Sequence, residues 1–263
     1  MLRVDKEERV MMQGSLRGDG LKSEKLSIIV PAYNEEHKIC ENLVEIVKSI
    51  DELQINHEII VVNDGSTDET LTEVSKLKSE NIKIVGYTEN QGKGNAIRYG
   101  FRFATGDLVV FIDADMDLHP KQIKTLVEYM NKSGADVVVG SKRHPLSKVD
   151  YPLDRRVLSR GYQTLNRILF GLSIRDTQVG LKLFKYNVLG DVMPKMVVKK
   201  YAYDIELMAN AHHKGYSITE APIELNHSFD SKVDWNEIYH MFVDTCGVFY
   251  RLKVAKYYDR TIT

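Results

Sequence analysis

Short apolar runs alternate with amphipathic stretches through the first half of the chain. In the first amphipathic stretch the apolar residues recur at helical spacing, at Ile39, Leu43, Ile46, Val47 and Ile50. The pattern predicts strands at Leu26–Val30, Glu58–Val62, Ile82–Val85, Leu108–Ile112 and Asp136–Val139, and helices through about Ile50, after Asn63, at Asn95–Ala104 and at Gln122–Met130. Such alternation predicts an α/β fold with a mostly parallel, Rossmann-like sheet and helices on both faces.

Polar clusters follow each of the first four predicted strands. In chain order they are Tyr33, Asn34 and Glu35; Asn63 and Asp64; Gly92, Lys93 and Gly94; and Asp113, Asp115 and Asp117. The carboxyl ends of parallel strands share one edge of a sheet, which is where open α/β sheets bind their ligands. We therefore expect the four clusters to form one site.

The chemistry of two of these clusters points to a phosphorylated ligand. Asp113 and Asp115 offer the hard oxygen ligands that Mg²⁺ or Mn²⁺ takes and shares with substrate phosphates. For the isolated motif, an acidic turn before a helix opened by Pro120 is an equally good interpretation. The Gly92-Lys93-Gly94 loop is neither a Walker loop nor a dinucleotide fingerprint. It is either a flexible turn or a phosphate contact made through Lys93.

Composition narrows the class of protein. The 263 residues, 43% of them hydrophobic, suffice for one large or two small domains, and the net charge of −1 argues against a general nucleic-acid binder. Cys40 and Cys246 give neither a disulfide framework nor metal-ligand spacing, which favours a reducing, cytoplasmic setting. No run approaches the roughly 20 apolar residues of a spanning helix. Residues 1–24 read as a flexible tail without a signal peptide's apolar run, so a soluble or peripheral protein is expected.

Ordered motifs carry a family resemblance. Val30-Pro-Ala-Tyr-Asn-Glu, Val62-Asn-Asp-Gly-Ser-Thr-Asp, Asn90-Gln-Gly-Lys-Gly and Asp113-Ala-Asp resemble, in order and spacing, the inverting family-2 glycosyltransferases with the GT-A fold. Segments 140–143, 176–184 and 201–207 resemble the polyprenyl-phosphate hexose synthases, the dolichyl-phosphate glucosyltransferase and mannosyltransferase group. The resemblance implies metal-dependent transfer of a hexose, with inversion, from a nucleotide sugar of the UDP-glucose or GDP-mannose type to a polyprenyl (dolichyl) phosphate.

The same resemblance assigns roles to residues. It implies nucleotide-sugar contacts at Pro31, Tyr33, Glu35, Asp64, Lys93, Asp113, Ala114 and Asp115, and Mg²⁺ or Mn²⁺ ligands at Asp113 and Asp115. Asp117 adds a possible third oxygen ligand where the mannosyltransferases often have Gln. The predicted catalytic residues are Asp115, Asp204 and Arg143.

A local excess of basic residues between 141 and 185 suggests an anionic acceptor. Lys142, Arg143, Arg155 and Arg156, in a predicted loop after the fifth strand, are the expected phosphate contacts, whereas Arg167 and Lys185 fit a solvated helix face. A phosphate acceptor is already ionised at neutral pH and needs no catalytic base. Asp204 stands where hydroxyl-directed relatives keep a base, and a structural role in orienting the acceptor loop is its alternative. Asp176 is expected to hydrogen-bond backbone or arginine.

The C-terminal stretch from Asp234 to Arg260 is predicted to be helical. Its apolar positions are Trp235, Ile238, Met241, Phe242, Val248, Phe249 and Leu252. The helix either packs on the sheet or lies on an anionic membrane, and a separate membrane partner is the remaining possibility. The expected organisation is a tail at 1–24, a GT-A domain at 25–230 and this amphipathic segment at 231–263, at the cytoplasmic face of a membrane.

Three alternatives remain open. A family-2 transferase acting on a polysaccharide or a soluble hydroxyl would depend on Asp204 as base. A sugar-phosphate nucleotidyltransferase would need a glycine-rich basic loop after the first strand, which the segment beginning at Pro31 is not. A non-catalytic nucleotide-sugar binding module would have no use for the basic segment. A loop containing His227 and Lys232 is a further candidate to close over the donor.

Overall fold

The protein is described by a computed structural model covering residues 24–77, 79–149, 153–200, 202–225 and 235–260. The predicted tail, apart from Glu24, and the loop with His227 and Lys232 lie outside these residues. The central sheet has seven strands: β1 (Leu26–Ala32), β2 (His57–Asp64), β3 (Ile82–Tyr87), β4 (Leu108–Phe111), β5 (Val137–Ser141), β7 (Lys182–Lys185) and β8 (Ile218–Pro222). A second sheet pairs β6 (Lys148–Val149) with β9 (Glu224–Leu225).

The strand order is β3-β2-β1-β4-β7-β5-β8, with β7 antiparallel to both of its neighbours and the other pairs parallel. The predicted mostly parallel α/β sheet is confirmed. The alternation predicted for the first half of the chain is present from β1 to β5, and β7, from later in the chain, is inserted between β4 and β5 in the sheet. Strand β8 ends at Pro222, and the carbonyl of the next residue, Ile223, accepts a hydrogen bond from the Lys148 N–H (3.0 Å).

Helices connect the strands and cover both faces of the sheet. They are α1 (Ile39–Asp51), α2 (Thr70–Ser75), α3 (Lys93–Phe101), α4 (Gln122–Ser133), α5 (Leu153–Phe170), α6 (Tyr186–Val192), α7 (Tyr203–His213) and α8 (Trp235–Phe249), with a π-helical turn at Tyr250–Val254 and 3₁₀ turns at Met193–Lys195 and Tyr257–Asp259. The prediction that Arg155 and Arg156 lie in a loop is therefore wrong, because both are at the beginning of α5. Partly buried Tyr162, Leu165 and Leu169 recur at helical spacing along it.

Alternate residues of the strands feed two apolar clusters, one on each face. Ile29 and Val109 face the cluster that contains α3, α6 and α7, whereas Ile28 and Val110 face the one that contains α1 and α4. Strands buried on both faces are what a helix-covered parallel sheet requires. The site is consequently left to the strand ends.

The C-terminal helix α8 has two apolar faces rather than the single face predicted. Val248 and Leu252 are buried in the same cluster as α7. On the other side, large apolar side chains remain exposed along the helix and the turn after it: Tyr239, Phe242, Val243, Tyr250 and Val254, each 47–62% exposed. We call these five residues the outer stripe. Phe242, predicted to share a face with Val248, belongs to it.

Candidate active site

A cavity of about 380 Å³ lies at the carboxyl ends of β1, β2 and β4. It is lined by Pro31, Ala32, Tyr33, Glu35, Asp64, Asn90, Gly92, Lys93, Asp113, Ala114, Asp115 and Lys200. All eight residues predicted to contact a nucleotide sugar are in this set. The polar clusters after the first four strands thus meet in one place, as the parallel topology predicts.

The loops after β1 and β2 hold each other at the cavity's edge. The Glu35 N–H donates to Thr70 Oγ1 (2.7 Å), and the Thr67 N–H donates to Asn34 Oδ1 (2.9 Å). Asn34 has a positive φ of 56°, a conformation that asparagine tolerates better than most residues. This turn places Tyr33, which is 44% exposed, and Glu35 beside the cavity.

Asp64 is buried, and its carboxylate is occupied by hydrogen bonds from the glycine loop. Oδ1 accepts from the Tyr87 hydroxyl (2.6 Å) and the Gln91 N–H (2.9 Å). Oδ2 accepts from Asn90 Nδ2 (3.1 Å) and the Gly92 N–H (3.0 Å). Four donors use the main acceptor positions of a carboxylate. Within this structure Asp64 holds the 90–92 loop against the cavity.

Lys93, the first residue of α3, forms an ion pair with Asp113. Asp113 fits because residue 180 is a glycine: a Cβ there would lie 2.0 Å from Asp113 Oδ2. The 176–184 motif thus contributes to the cavity because Gly180 has no side chain and leaves room for the Asp113 carboxylate. Lys93 keeps its charge, because Asp113, Asp204 and Asp115 raise its pKa against the opposing effect of burial.

The cavity carries an excess of negative charge: Glu35, Asp64, Asp113 and Asp115 stand against Lys93 and Lys200. Burial, and then the charge of Asp113, raises the pKa of Asp115, and burial followed by the charge of Asp115 raises that of Glu35. Carboxylates that repel one another in this way fit a bound cation. The donor set at Asp113 and Asp115 suits a hard divalent metal.

Asp117, the possible third ligand, is adjacent to Asp115 but does not line the cavity. Its backbone N–H donates to Asp115 Oδ1 (3.1 Å). Met116 between them has a positive φ of 62°, so the chain turns sharply at this point. Within the described ranges from 24 to 260, no group of three His, Cys, Asp or Glu side chains is arranged to hold a metal ion. Two carboxylates therefore remain as the protein's candidate ligands.

Asp204 is buried beneath the cavity and does not line it. Its Oδ1 lies 2.5 Å from the Nζ of Lys182, which is fully buried and also donates to the Val179 carbonyl. Burial raises the pKa of Asp204, with Lys182 and Lys93 opposing the shift. A carboxylate paired in the core is not placed to take a proton from an acceptor. The structural alternative for Asp204 is the one that this geometry favours.

Residues 27–193 match the glycosyl transferase family 2. The chain belongs to this family. The dolichyl-phosphate beta-glucosyltransferase ALG5A of Trichomonas vaginalis is 34% identical to this glycosyltransferase over 252 residues, which are 89% of this chain and 76% of that protein. A dolichyl-phosphate beta-glucosyltransferase of Dictyostelium discoideum is 28% identical over 224 residues, or 80% and 68% of the two chains.

Solved structures agree on the fold. Glucosyl-3-phosphoglycerate synthase from Mycobacterium tuberculosis in complex with UDP matches with a TM-score of 0.66 at 18% identity, covering 92% of this chain and 82% of that one. Its complex with Mn²⁺, UDP and phosphoglyceric acid matches with a TM-score of 0.64 at 21% identity, covering 87% and 78%. At these identities the likeness shows the fold alone. The predicted GT-A architecture of this glycosyltransferase is confirmed.

The expected acceptor side of the glycosyltransferase lies in the turn after β5. Lys142 and Arg143 are half-buried there, and Arg143 Nη1 donates to Gln163 of α5. Buried Asp176 accepts from the backbone N–H of Lys142 (3.2 Å) and of Gln178 (3.2 Å), which confirms the predicted hydrogen bonding to backbone. Because β5 runs parallel to β1, β2 and β4, this turn is on the same edge of the sheet as the cavity.

Lys200 is the cavity residue that sequence reasoning missed. It lies more than a hundred positions after Lys93, outside the polar clusters that follow the strands, so strand-end reasoning does not reach it. Its neighbour, the carbonyl of Lys199, accepts from the Asn95 N–H (3.2 Å) at the beginning of α3. The adjoining segment 201–207 carries part of the family resemblance, but that resemblance indicates Asp204 and not Lys200.

Proposed function

We propose that this glycosyltransferase moves glucose from UDP-glucose to a dolichyl-type polyprenyl phosphate, with inversion at the anomeric carbon. Support comes from the relatives named as dolichyl-phosphate beta-glucosyltransferases, which match most of the chain. The observation that carries the donor half is the cavity at the strand ends, where acidic residues and two lysines converge. GDP-mannose as donor is the alternative that the assay below separates.

The charge of the cavity supports use of a divalent cation. An anionic diphosphate would be repelled by four carboxylates unless a cation stood between them. Asp113 and Asp115 would hold Mg²⁺ or Mn²⁺, which would neutralise the charge that develops on the departing nucleoside diphosphate. Pro31, Tyr33, Glu35 and Ala114 would enclose the nucleoside, Lys93 would add a phosphate contact, and Asp64 would fix the loop that carries Lys93.

The burial of Asp204 supports a phosphate acceptor. A sugar hydroxyl must lose a proton during attack, and the candidate base is paired with Lys182 in the core. A phosphate monoester needs no base, since its second pKa is about 6. Its oxygen attacks the anomeric carbon, the bond from that carbon to the donor's diphosphate breaks, and UDP leaves with the electron pair. The protein's contribution is alignment and charge stabilisation.

Cations near the turn after β5 are the proposed acceptor contacts. Lys142 and Arg143 follow the strand end, and Arg155 and Arg156 lie in the first turn of α5, beyond it. Arg143, retained from the predicted catalytic group, would stabilise charge on the acceptor phosphate. The hydrogen bond from the backbone N–H of Lys142 to the Asp176 carboxylate fixes the beginning of this turn.

A polyprenyl acceptor requires contact with a membrane, and we propose that the outer stripe provides it at the cytoplasmic face. Among the described residues no helix is long and apolar enough to span a bilayer. The stripe exposes Tyr239, Phe242 and Val254, and the exposed residues Lys253 and Lys256 flank its last member. Aromatic and apolar groups beside basic ones suit the interface of an anionic membrane.

The decisive experiment incubates the purified protein with radiolabelled UDP-glucose or GDP-mannose, Mn²⁺ and a short-chain polyprenyl phosphate. We expect a butanol-extractable glucolipid from UDP-glucose only, and we expect none when the acceptor is a polyprenol that lacks phosphate. Label transferred to the alcohol, or from GDP-mannose alone, would contradict the proposal. A Lys142→Ala/Arg143→Ala variant should raise the KM for the lipid and leave that for UDP-glucose nearly unchanged.

A further inference from the structure

Residues 196–200, which we call the wall, pack directly on the glycine loop and reach the cavity at Lys200. Arg98 Nη1 of α3 donates to the Met196 carbonyl (2.8 Å), and the Lys199 carbonyl accepts from the Asn95 N–H (3.2 Å). A Cβ on Gly92 would lie 2.8 Å from that same carbonyl, so the two loops touch along their backbones. The wall ends at Lys200, which lines the cavity.

A fully buried carboxylate anchors this wall from behind. Glu206, in the first turn of α7, accepts from the backbone N–H of Val197 (3.1 and 3.0 Å) and of Val198 (2.8 Å). Burying a charge is costly unless it is paired and hydrogen-bonded. The wall therefore depends on whatever else satisfies Glu206.

The remaining partners come from the C-terminal segment. The Tyr258 hydroxyl donates to Glu206, and Arg251 Nη2 lies 3.6 Å from the same carboxylate. Arg251 Nε also donates to the Tyr258 hydroxyl (3.0 Å), and Lys195 Nζ donates to the Tyr258 carbonyl (2.6 Å). A chain of contacts thus runs from the end of the protein, through Glu206, to the cavity wall.

We propose that Lys200 binds the diphosphate of the donor and that Glu206 and Tyr258 are positioning residues that hold it at the cavity. Of the two cavity lysines, Lys93 is paired with Asp113, whereas Lys200 is exposed and has no ion pair within the described part of the chain. The ammonium group of Lys200 would therefore be available to an anionic diphosphate in this cavity. This inference rests on the proposed function and adds a second phosphate-binding cation to it.

The first test compares neighbouring lysines by measuring UDP affinity with Mn²⁺ by calorimetry. Lys200→Ala should weaken binding by about tenfold or more, since it removes a charge-assisted hydrogen bond. Lys200→Arg should keep most of the affinity. The matched control is Lys199→Ala, because Lys199 contributes its backbone carbonyl to the wall and its side chain does not line the cavity.

The second test asks whether Tyr258 acts through Lys200. Tyr258→Phe removes only the hydroxyl that reaches Glu206 and should weaken UDP binding by about threefold or more. The control Tyr257→Phe removes the neighbouring hydroxyl and should leave UDP affinity unchanged. The loss of UDP binding free energy in the Tyr258→Phe/Lys200→Ala double variant should be smaller than the sum of the losses in the two single variants, because Tyr258 acts through Lys200.

The outcomes separate this inference from the function on which it rests. Unchanged UDP affinity in Lys200→Ala, while the wild-type protein binds UDP, overturns the role of Lys200 and leaves the proposed transfer intact. Fully additive losses in the double variant overturn the positioning role of Tyr258. A wild-type protein that binds no nucleoside diphosphate at all overturns both proposals.

Discussion

At the scale of single residues, the carboxylate of Asp64 holds the 90–92 loop at the cavity. Its two oxygens receive four donors, three of them from residues 90–92. Asp64→Asn would put an amide N–H₂ against the backbone N–H of either Gln91 or Gly92 and push the loop out of place. We expect UDP affinity to fall by about tenfold or more by calorimetry. Tyr87→Phe, which removes one donor, should cost less, and equal effects would argue against loop positioning.

The metal hypothesis is tested by two nearby aspartates. Asp115→Asn should abolish Mn²⁺ binding, which electron paramagnetic resonance measures. It should also abolish transfer, because one of the two candidate carboxylate ligands is lost. Asp117→Asn is the matched control and should bind Mn²⁺ as the wild type does, since Asp117 does not line the cavity. EDTA should stop turnover reversibly. Equal losses in both variants would restore Asp117 as a third ligand.

The raised pKa of Asp115 gives a pH dependence with a definite sign. Burial and the charge of Asp113 raise it above 3.8, so a proton competes with the metal at a higher pH than for an ordinary aspartate. Mn²⁺ affinity should fall on acidification before pH 3.8 is approached. Without metal, this group should lower the stability of the fold as the pH rises through the same range. A fall in Mn²⁺ affinity centred at or below pH 3.8 would contradict this.

Single residues also show what sequence reasoning can reach. The cavity residues at strand ends, such as Tyr33 and Asp113, were predictable because parallel strands align their carboxyl ends. Asp204 was not, because motif position cannot reveal that Lys182 is buried opposite it. Lys200 is not predictable in this way because its place depends on the packing of residue 199 against Asn95, about a hundred positions earlier in the chain.

At the scale of elements, the segment before β7 controls Asp113 through Gly180. A Cβ there would lie 2.0 Å from a carboxylate oxygen, so Gly180→Ala should displace Asp113 and reduce Mn²⁺ affinity and turnover at least about tenfold. Gly190→Ala in α6 is the control, because its Cβ meets nothing within 4 Å, and it should leave both unchanged. Normal metal affinity in Gly180→Ala would show that the 176–184 segment yields freely.

The elements themselves were predictable to different degrees. β1, β2 and β4 follow from apolar runs that are buried on both faces, whereas the edge strand β3 is only partly buried. The place of β7 does not, because Leu183 and Phe184 read only as a short apolar pair and nothing local says that they pair with β4. Helix α5 was mistaken for a loop because its charges, Arg155 and Arg156 among them, outweighed its apolar spacing.

For the whole molecule, the outer stripe predicts binding to anionic vesicles. Replacing Tyr239, Phe242 and Val254 together by Ser should lower the vesicle-bound fraction in flotation more than tenfold, since each buried apolar side chain contributes about 1.5–3 kcal/mol. Val44→Ser/Leu71→Ser, at exposed apolar positions on α1 and α2, is the control. Salt should weaken wild-type binding through screening. Equal binding by both variants would remove the stripe from the interface.

The division into a GT-A domain at 25–230 and a segment from 231 stays a prediction.

The position of β7 also bears on how the chain is made. β4 obtains its second neighbour only from residues 182–185, and both neighbours of β5 come later in the chain than β5 itself. On a ribosome, β1 to β4 can assemble while β5 waits, with the free side of β4 offered to any other strand. We expect nascent chains shorter than about 182 residues to need a chaperone, and their aggregation to cease once β7 has emerged.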